Sequence, residues 1–440
     1  MTSPSSHLPS PTRRDALKAG AALGGSVGLA GSFARFAHAA GSDEMRLALI
    51  GCGGRGTGAA VNALSSPGRF KITALADAFE SRLSGCLRIL QRKFPQQVDV
   101  PPERRFVGLD AFQKALATDV DMVAICTPPG FRPQQFEAAV AAGKHIFMEK
   151  PLAVDAPGVR QVAAANVKAK EQGLLVAVGH HLRHEAKHIE LIDLIHNGAI
   201  GEVGLIRVYF NAGSLWIRPR QQSQTETEYQ VSNWYYFNWL SGDHIVEQHV
   251  HDLDVGNWVM RDEHPVEAQG SGGRQVRIGR DTGEIFDHHA VEFTYPSGVK
   301  MISNCRQIRG CWTSFAQHVH GVRGTADMQG HNNTSLTIAG KEPRVWRREK
   351  DGHQTEWDNL CAALAKGEKY NEVDHTLRST MTAILGRMAT YSGKVVTWDE
   401  ALSSNLDLAP EILSYDHEPP VRPEPNGIYA CAIPGQTKAV

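Results

Sequence analysis

Residues 46–56 read RLALIGCGGRG. The apolar run Leu47 to Ile50 stops abruptly at Gly51-Cys52-Gly53-Gly54-Arg55-Gly56, and TGAAVNALSS follows with the small and apolar residues of a closely packed helix. A buried strand, a glycine-rich turn and a helix are the expected order. The turn spells G-x-G-x-x-G. Its glycines let the backbone approach a pyrophosphate, and the helix N-terminus favours the negative charge. The next apolar run, FKITALADA, ends in Asp77, about twenty residues further on, where an acid can accept hydrogen bonds from ribose hydroxyls. Its charge opposes a 2′-phosphate, and no Arg follows it directly, so NAD is the expected cofactor. Gly51, Gly53, Gly54, Arg55, Gly56 and Asp77 form the expected binding set.

Working outward, residues 46–180 alternate apolar runs with helical patterns, the signature of a parallel sheet with covering helices. DMVAIC closes in Thr127-Pro128-Pro129 and HIFM closes in Glu149-Lys150-Pro151. Open α/β sheets present ligand loops at the carboxyl ends of their strands, so Thr127, Pro128, Glu149 and Lys150 are expected to face the cofactor crevice. After about 185 the pattern changes to α+β, a mostly antiparallel sheet with helices. It includes a hairpin turning at Pro296-Ser297-Gly298 and a long final helix ending at Gly393. The fold class expected is therefore α/β: an N-terminal Rossmann domain and a C-terminal α+β domain with a large open sheet. The domain bounds are 40–180 for the first, 181–402 for the second, and 403–440 for a proline-rich extended arm. Residues 1–39 read as an export signal. Arg13-Arg14 precedes a Gly/Ala-rich run at 19–30, and AHA at 37–39 fits a cleavage site. A twin-arginine signal of this kind implies a periplasmic or otherwise exported protein starting near Ala40, without membrane insertion in the mature form. The apolar run is too short to span a bilayer.

The 440 residues carry 46 Lys+Arg against 47 Asp+Glu, with 42% hydrophobic and 21% charged residues. This balance gives no electrostatic footprint for nucleic acid or an anionic membrane. Seven cysteines without a Cys-x-x-Cys pair argue against a thiolate zinc site. Whether Cys305 and Cys311 pair is left open.

Residues 242–254 read GDHIVEQHVHDLD. On a helix, Glu247 and His251 at i and i+4 share a face, His244 lies two turns earlier on it, and Asp254 follows where it could orient an imidazole. His249 and His251 point apart and cannot form a helical metal pair. A zinc set built on His251 with His244 or Glu247 would need a third ligand, from His180-His181 or His288-His289. The acid–base reading is preferred, with no metal, and His249 is read as structural. Trp234, Tyr235, Tyr236 and Trp239 precede this stretch. Tyr236 is a candidate for sugar contact and Arg306, after ISNC, for a further one.

Together, GCGGRG, Asp77, CTPP, EKP and the later His-x-x-Asp resemble the Gfo/Idh/MocA oxidoreductases over residues 46–400. WYYFNWLSGDHIVEQHVHDLD resembles exported members from planctomycete-like bacteria. The resemblance implies tightly held NAD(P), a small carbohydrate substrate, and a homodimer or homotetramer formed through the second sheet. It assigns catalysis to Lys150 and to His251 in His-x-x-Asp, with the partner acid at Glu247, where the family usually has Asp. His181 and Arg183 fall where relatives line the substrate pocket, beside His244 and Asp254. An exported enzyme lacks an obvious NADH pool. Three readings remain open: a sugar oxidoreductase recycling retained NAD, a glycoside hydrolase using transient ring-hydroxyl oxidation, and a non-catalytic sugar-binding protein.

Overall fold

The computed structural model describes residues 44–330, 333–347 and 350–440. The arginine pair and the cleavage motif expected to direct export lie outside these residues.

Six parallel strands form the first sheet: β1 (Met45–Ile50), β2 (Phe70–Asp77), β3 (Arg105–Val107), β4 (Met122–Ile125), β5 (His145–Met148) and β6 (Val176–Val178). Their order is β3-β2-β1-β4-β5-β6. Ile50 pairs with Ala76 on one side and Ile125 on the other, so the strand order reverses at β1. Loops splay apart at such a reversal and leave a crevice at the carboxyl ends. The strands read as continuous apolar runs because helices cover both faces. These helices include α1 (Gly54–Ser65), α2 (Glu80–Lys93), α3 (Arg132–Ala141) and α4 (Ala156–Glu171).

The second sheet has β7 (Val203–Ala212), β8 (Glu267–Gly273), β9 (His288–Thr294), β10 (Lys300–Gln307), β11 (Ser314–Gly321), β12 (Gly324–Gln329), β13 (Asn333–Ile338), β14 (Arg344–Trp346) and β15 (Val396–Thr397). Its order is β14-β13-β12-β11-β7-β10-β9-β8-β15. Only the β7–β10 pair is parallel. β9 and β10 form the hairpin read from Pro296-Ser297-Gly298. On β10, Met301, Ser303, Cys305 and Gln307 alternate inward, while Arg306 turns to the face away from the helices. Cys305 and Cys311 are both free thiols.

Between β7 and β8 the chain forms α5 (Glu226–Ser232), then α6 (His244–Glu247) and α7 (Val250–Val259). After β14 it returns to the first sheet. The helix α8 (Gly352–Lys366) buries Trp357 against Phe147 (ring centroids 4.4 Å apart, stacked) and Phe70 (5.7 Å, edge-on). The following α9 (Val373–Ser392) is almost wholly buried, packed between α4 and the second sheet. Residues 404–440 contain no helix or strand but are bound back to the body, with Ile412 and Tyr429 buried.

Candidate active site

A cavity of about 1010 Å³ opens at the carboxyl ends of β1, β2, β4 and β5. The residues expected at the cofactor, from Gly51 through Asp77, Thr127 and Pro128 to Glu149 and Lys150, all line it. Gly51 has φ +96°, and a Cβ there would sit 2.7 Å from the Cys126 carbonyl carbon; one at Gly56 would sit 1.8 Å from the Gly51 oxygen. Only glycine permits that turn. No side chain caps the first turn of α1, and a Cβ at Gly54 would meet nothing within 4 Å. Free N–H groups beside open space, at a helix N-terminus, suit a pyrophosphate.

Asp77 accepts from the backbone N–H groups of Cys52 (2.6 Å) and Phe79 (2.8 Å). Burial raises its pKa, while those N–H groups and Arg82 pull it back. Arg82 lines the same corner. The absence of an Arg directly after Asp77 therefore does not leave this corner without a cation, and its residues fit NAD(P) rather than NAD alone. Arg55 Nε lies 3.0 Å from Glu149 Oε1, so these two cavity residues neutralise each other. The buried Arg132 donates to the carbonyls of Thr127 and Pro151 and pins the two proline loops together. Burial lowers its pKa to about 10.

At the other end, Lys150 precedes a cis Pro151. Its Nζ donates to the Glu247 carbonyl and lies 3.1 Å from Glu247 Oε1. The expected single helix through 242–254 is broken. Asp243 takes φ +73°, α6 stops at Glu247, and α7 starts at Val250 after Gln248 and His249. Glu247, Gln248 and His251 nevertheless all line the cavity, because the break presents consecutive residues rather than one helical face. His251 is half-buried in the cavity wall, and its pKa falls well below the usual imidazole value through desolvation and then the Lys150 charge. The ring stays neutral and able to accept a proton. Its Nδ1 has no hydrogen-bond partner among the described residues.

His181 lies beside it, ring centroids 4.8 Å apart, and His353 stacks on His181 at 4.1 Å and 19°. His353 was not foreseen. It sits in the first turn of α8, bonded to the capping Asp351. Gly352 allows the approach, since a Cβ there would fall 2.2 Å from the His181 carbonyl oxygen. The local signal was the Asp351-Gly352 helix start. Nothing in it revealed that this helix packs against the first sheet.

Five expected substrate contacts lie elsewhere. Arg183 forks onto Asp254 (2.7 and 2.9 Å) and reaches Asp262 (2.6 Å). Asp254 also accepts from Ser379 at 2.7 Å. It is thus fully engaged with Arg183 and does not orient His251. Burial raises the Asp254 pKa, but Arg183 outweighs it and holds the group well below the usual carboxylate range. Tyr236 is buried in an aromatic cluster rather than aimed into the cavity. Arg306 is on the outer sheet face. His244 is sealed inside with Asp243 and His289, whose candidate ligand atoms lie within 4.8 Å of one another. Asp243 there accepts from His244 Nδ1 (2.7 Å), Tyr391 Oη (2.6 Å) and Phe286 N (3.0 Å). These bonds hold the positive-φ residue that starts the broken helix. His249 bonds Asp252 (3.1 Å) and Ser303 (2.8 Å) in the interior.

Residues 45–180 match the family model GFO_IDH_MocA, described as an oxidoreductase family with an NAD-binding Rossmann fold. A 1,5-anhydro-D-fructose reductase from Ensifer adhaerens is 30% identical over 212 residues, 47% of this chain and 56% of that protein. An inositol 2-dehydrogenase from Rhizobium meliloti is 26% identical over 272 residues, 59% of this chain and 74% of that one. The chain thus spans little more than half the length of the first of these relatives. Among solved structures, a levoglucosan dehydrogenase complexed with NADH and levoglucosan aligns at TM-score 0.65 and 14% identity, over 80% of this chain and 99% of that one. An aldose-aldose oxidoreductase from Caulobacter crescentus, complexed with glycerol, aligns at 0.64 and 19%, with the same coverage. At these identities the likeness is one of fold.

Proposed function

We propose, from the match of residues 45–180 to the model of the Gfo/Idh/MocA oxidoreductase family with its NAD-binding Rossmann fold, that the chain is an NAD(P)-dependent oxidoreductase acting on a hydroxyl of a sugar or cyclitol. The observation that carries this reading is the meeting of Lys150, Glu247 and His251 in the cavity that also holds the glycine-rich turn and Asp77. Gly51 to Gly56 and Asp77 would hold the dinucleotide. When bound, the dinucleotide would supply the hydride acceptor for oxidation of the carbon bearing the hydroxyl. His251, kept neutral by desolvation and the Lys150 charge, receives the hydroxyl proton. The Lys150 ammonium stabilises the oxygen as negative charge develops there, and Glu247 holds the ammonium in place. His181 and His353 extend the polar wall on which a polyol can rest. The reductases and dehydrogenases of carbohydrates among the relatives support this substrate class.

Assays of the purified protein against inositols, aldoses, anhydro-sugars and glycosides, read by nicotinamide absorbance, test it. Turnover of none of them, or a Lys150→Ala variant as active as the parent, overturns it.

The glycoside hydrolase reading is kept as second. Its motivating observation is the surplus of imidazoles, since His181 and His353 add acid–base groups that simple oxidation does not need. Aglycone release from aryl glycosides without added NAD, with solvent deuterium entering the ring, would establish it; sugar-to-sugar redox without cleavage would exclude it. Export belongs to the same proposal. Mass spectrometry of the mature N-terminus should find a start near Ala40, and an intact Met1 in secreted material would refute it. An oligomer through the outer face of the second sheet is likewise proposed, and light scattering that finds a monomer would rule it out.

A further inference from the structure

We infer that Arg82 and Arg218 form a two-guanidinium clamp that grips a phosphate group of the dinucleotide from the side opposite the glycine-rich turn. The inference rests on the reading of the cavity as an NAD(P) site. It adds a binding element, from the polar segment between β7 and α5, that the fingerprint does not contain.

Both arginines line the cavity. They come from unrelated parts of the chain, Arg82 from the first turn of α2 and Arg218 from the segment before α5. Both nonetheless converge on one atom: the Ser232 carbonyl accepts from Arg218 Nη1 at 2.8 Å and Arg82 Nη2 at 3.4 Å. Arg218 is placed firmly for a residue at the rim. Its backbone N–H donates to Asn233 Oδ1 at 3.0 Å, and its guanidinium lies 4.4 Å from the Trp216 ring centroid. Arg82 lies 4.9 Å from the ring centroid of Phe79. Neither guanidinium has a carboxylate within ion-pair distance among the described residues. Two cations sharing one neutral acceptor keep most of their N–H donors free for a ligand, Arg218 at an exposed rim and Arg82 deeper in the cavity. Burial pushes the Arg82 pKa down, with Asp77 only partly restoring it, as expected of a cation short of its counter-ion.

The position identifies the anion. Arg82 Nη1 lies 3.9 Å from where a Cβ on Gly53 would be. The guanidiniums and the uncapped first turn of α1 therefore flank the same strip of cavity, and a phosphate there would meet N–H donors from both sides. The dinucleotide offers that chemistry in its pyrophosphate and, in NADP, in its 2′-phosphate. The clamp is tied down from behind. Thr225, which caps α5, donates to the Tyr415 carbonyl (3.0 Å), and Gln230 donates to that of Val421 (2.8 Å). Tyr415 donates in turn to the Ala78 carbonyl (2.7 Å) beside Asp77. The C-terminal arm thus fastens the segment carrying Ser232 and Arg218 to the end of β2.

The test compares the full-length protein with Arg218→Ala and Arg218→Lys, measuring dissociation constants for NAD, NADP and ADP-ribose, with adenosine as the phosphate-free control. Melting temperatures show that each variant is folded. Arg218→Ala should weaken all three phosphate ligands by roughly 10- to 100-fold, as expected for a lost charge-assisted contact, and leave adenosine unchanged. Arg218→Lys should recover part of the loss. Weakening of NADP alone also supports the clamp and assigns it to the 2′-phosphate. Unchanged affinities in Arg218→Ala, with the parent binding normally, overturn the clamp and leave the cofactor reading standing. A parent protein that binds none of the three overturns the cofactor reading itself.

Discussion

Lys150 Nζ lies 3.1 Å from Glu247 Oε1 and also donates to the backbone carbonyl of Glu247. Lys150 follows β5 of the first sheet and Glu247 ends a four-residue helix between β7 and β8 of the second, so this contact joins the two halves of the site. Glu247 stands where Asp is usual in the resembling family, and its extra methylene still leaves it within reach of Lys150.

Replacing Lys150 by Met should lower kcat by on the order of 10²- to 10⁴-fold, the range of one acid–base or electrostatic contribution. The ammonium charge is also one reason the His251 imidazole titrates low. Its removal should move the acid limb of the remaining kcat/KM profile to higher pH. A variant with unchanged rate, or with the limb moved to lower pH, contradicts the arrangement.

In the unaltered protein, if it turns over as proposed, that limb should fall below the ~6.5 of free imidazole, because His251 keeps its neutral form into mildly acidic solution. A pH–rate profile with its acid pKa above 6.5 would remove His251 as the base.

His353→Ala should reduce kcat/KM on the order of tenfold, because it takes away both a cavity-lining imidazole and the ring stacked on His181. His353→Phe retains the stacking and should hold the melting temperature without recovering the rate. Full activity in His353→Phe would reduce His353 to a packing group.

His180 and His244 are both buried with pKa values lowered to about 4. Between about pH 4 and 6.5 the unfolded chain binds protons at these imidazoles that the folded chain does not, so stability rises with pH across that window. Their contribution is present above pH 6.5 and is lost as pH falls toward 4, on the order of 3 kcal/mol for each imidazole. The melting temperature should drop between pH 7 and 4.5. His244→Asn should flatten that slope, and an unchanged slope would contradict the lowered His244 pKa.

Asp254→Ala would leave the largely enclosed Arg183 with Asp262 as its one remaining carboxylate. A loss of about 3–5 kcal/mol in stability is expected, with KM for the sugar little changed among molecules that fold. A large rise in KM at unchanged stability would restore Asp254 and Arg183 to the substrate pocket.

The cofactor half was legible because its chemistry is local: GCGGRG, Asp77, Thr127 and Lys150 each follow directly from a strand end. The second half was less so. Spacing placed Glu247 and His251 together through a helix that does not exist, and they meet because the chain breaks at Gln248. No periodicity marks Asp243 at φ +73°, held by donors from α6, the loop before β9 and α9. Arg183 and Asp254 have the residue types of a sugar site but spend them on each other. His353 and Arg218 were invisible because their roles depend on which distant segments pack across the cavity mouth.

The return of α8 to the first sheet also bears on how the chain matures. Trp357 is fully buried between Phe70 and Phe147, though synthesised long after both. A nascent polypeptide that has completed β6 still lacks the indole that fills this interior, a gap worth about 3–5 kcal/mol by the usual cost of deleting a buried tryptophan. The dinucleotide half therefore cannot reach its final stability co-translationally until nearly the whole chain has left the ribosome. A fragment cut at residue 180 should aggregate or stay loosely packed, and adding back a peptide spanning 350–372 should rescue it.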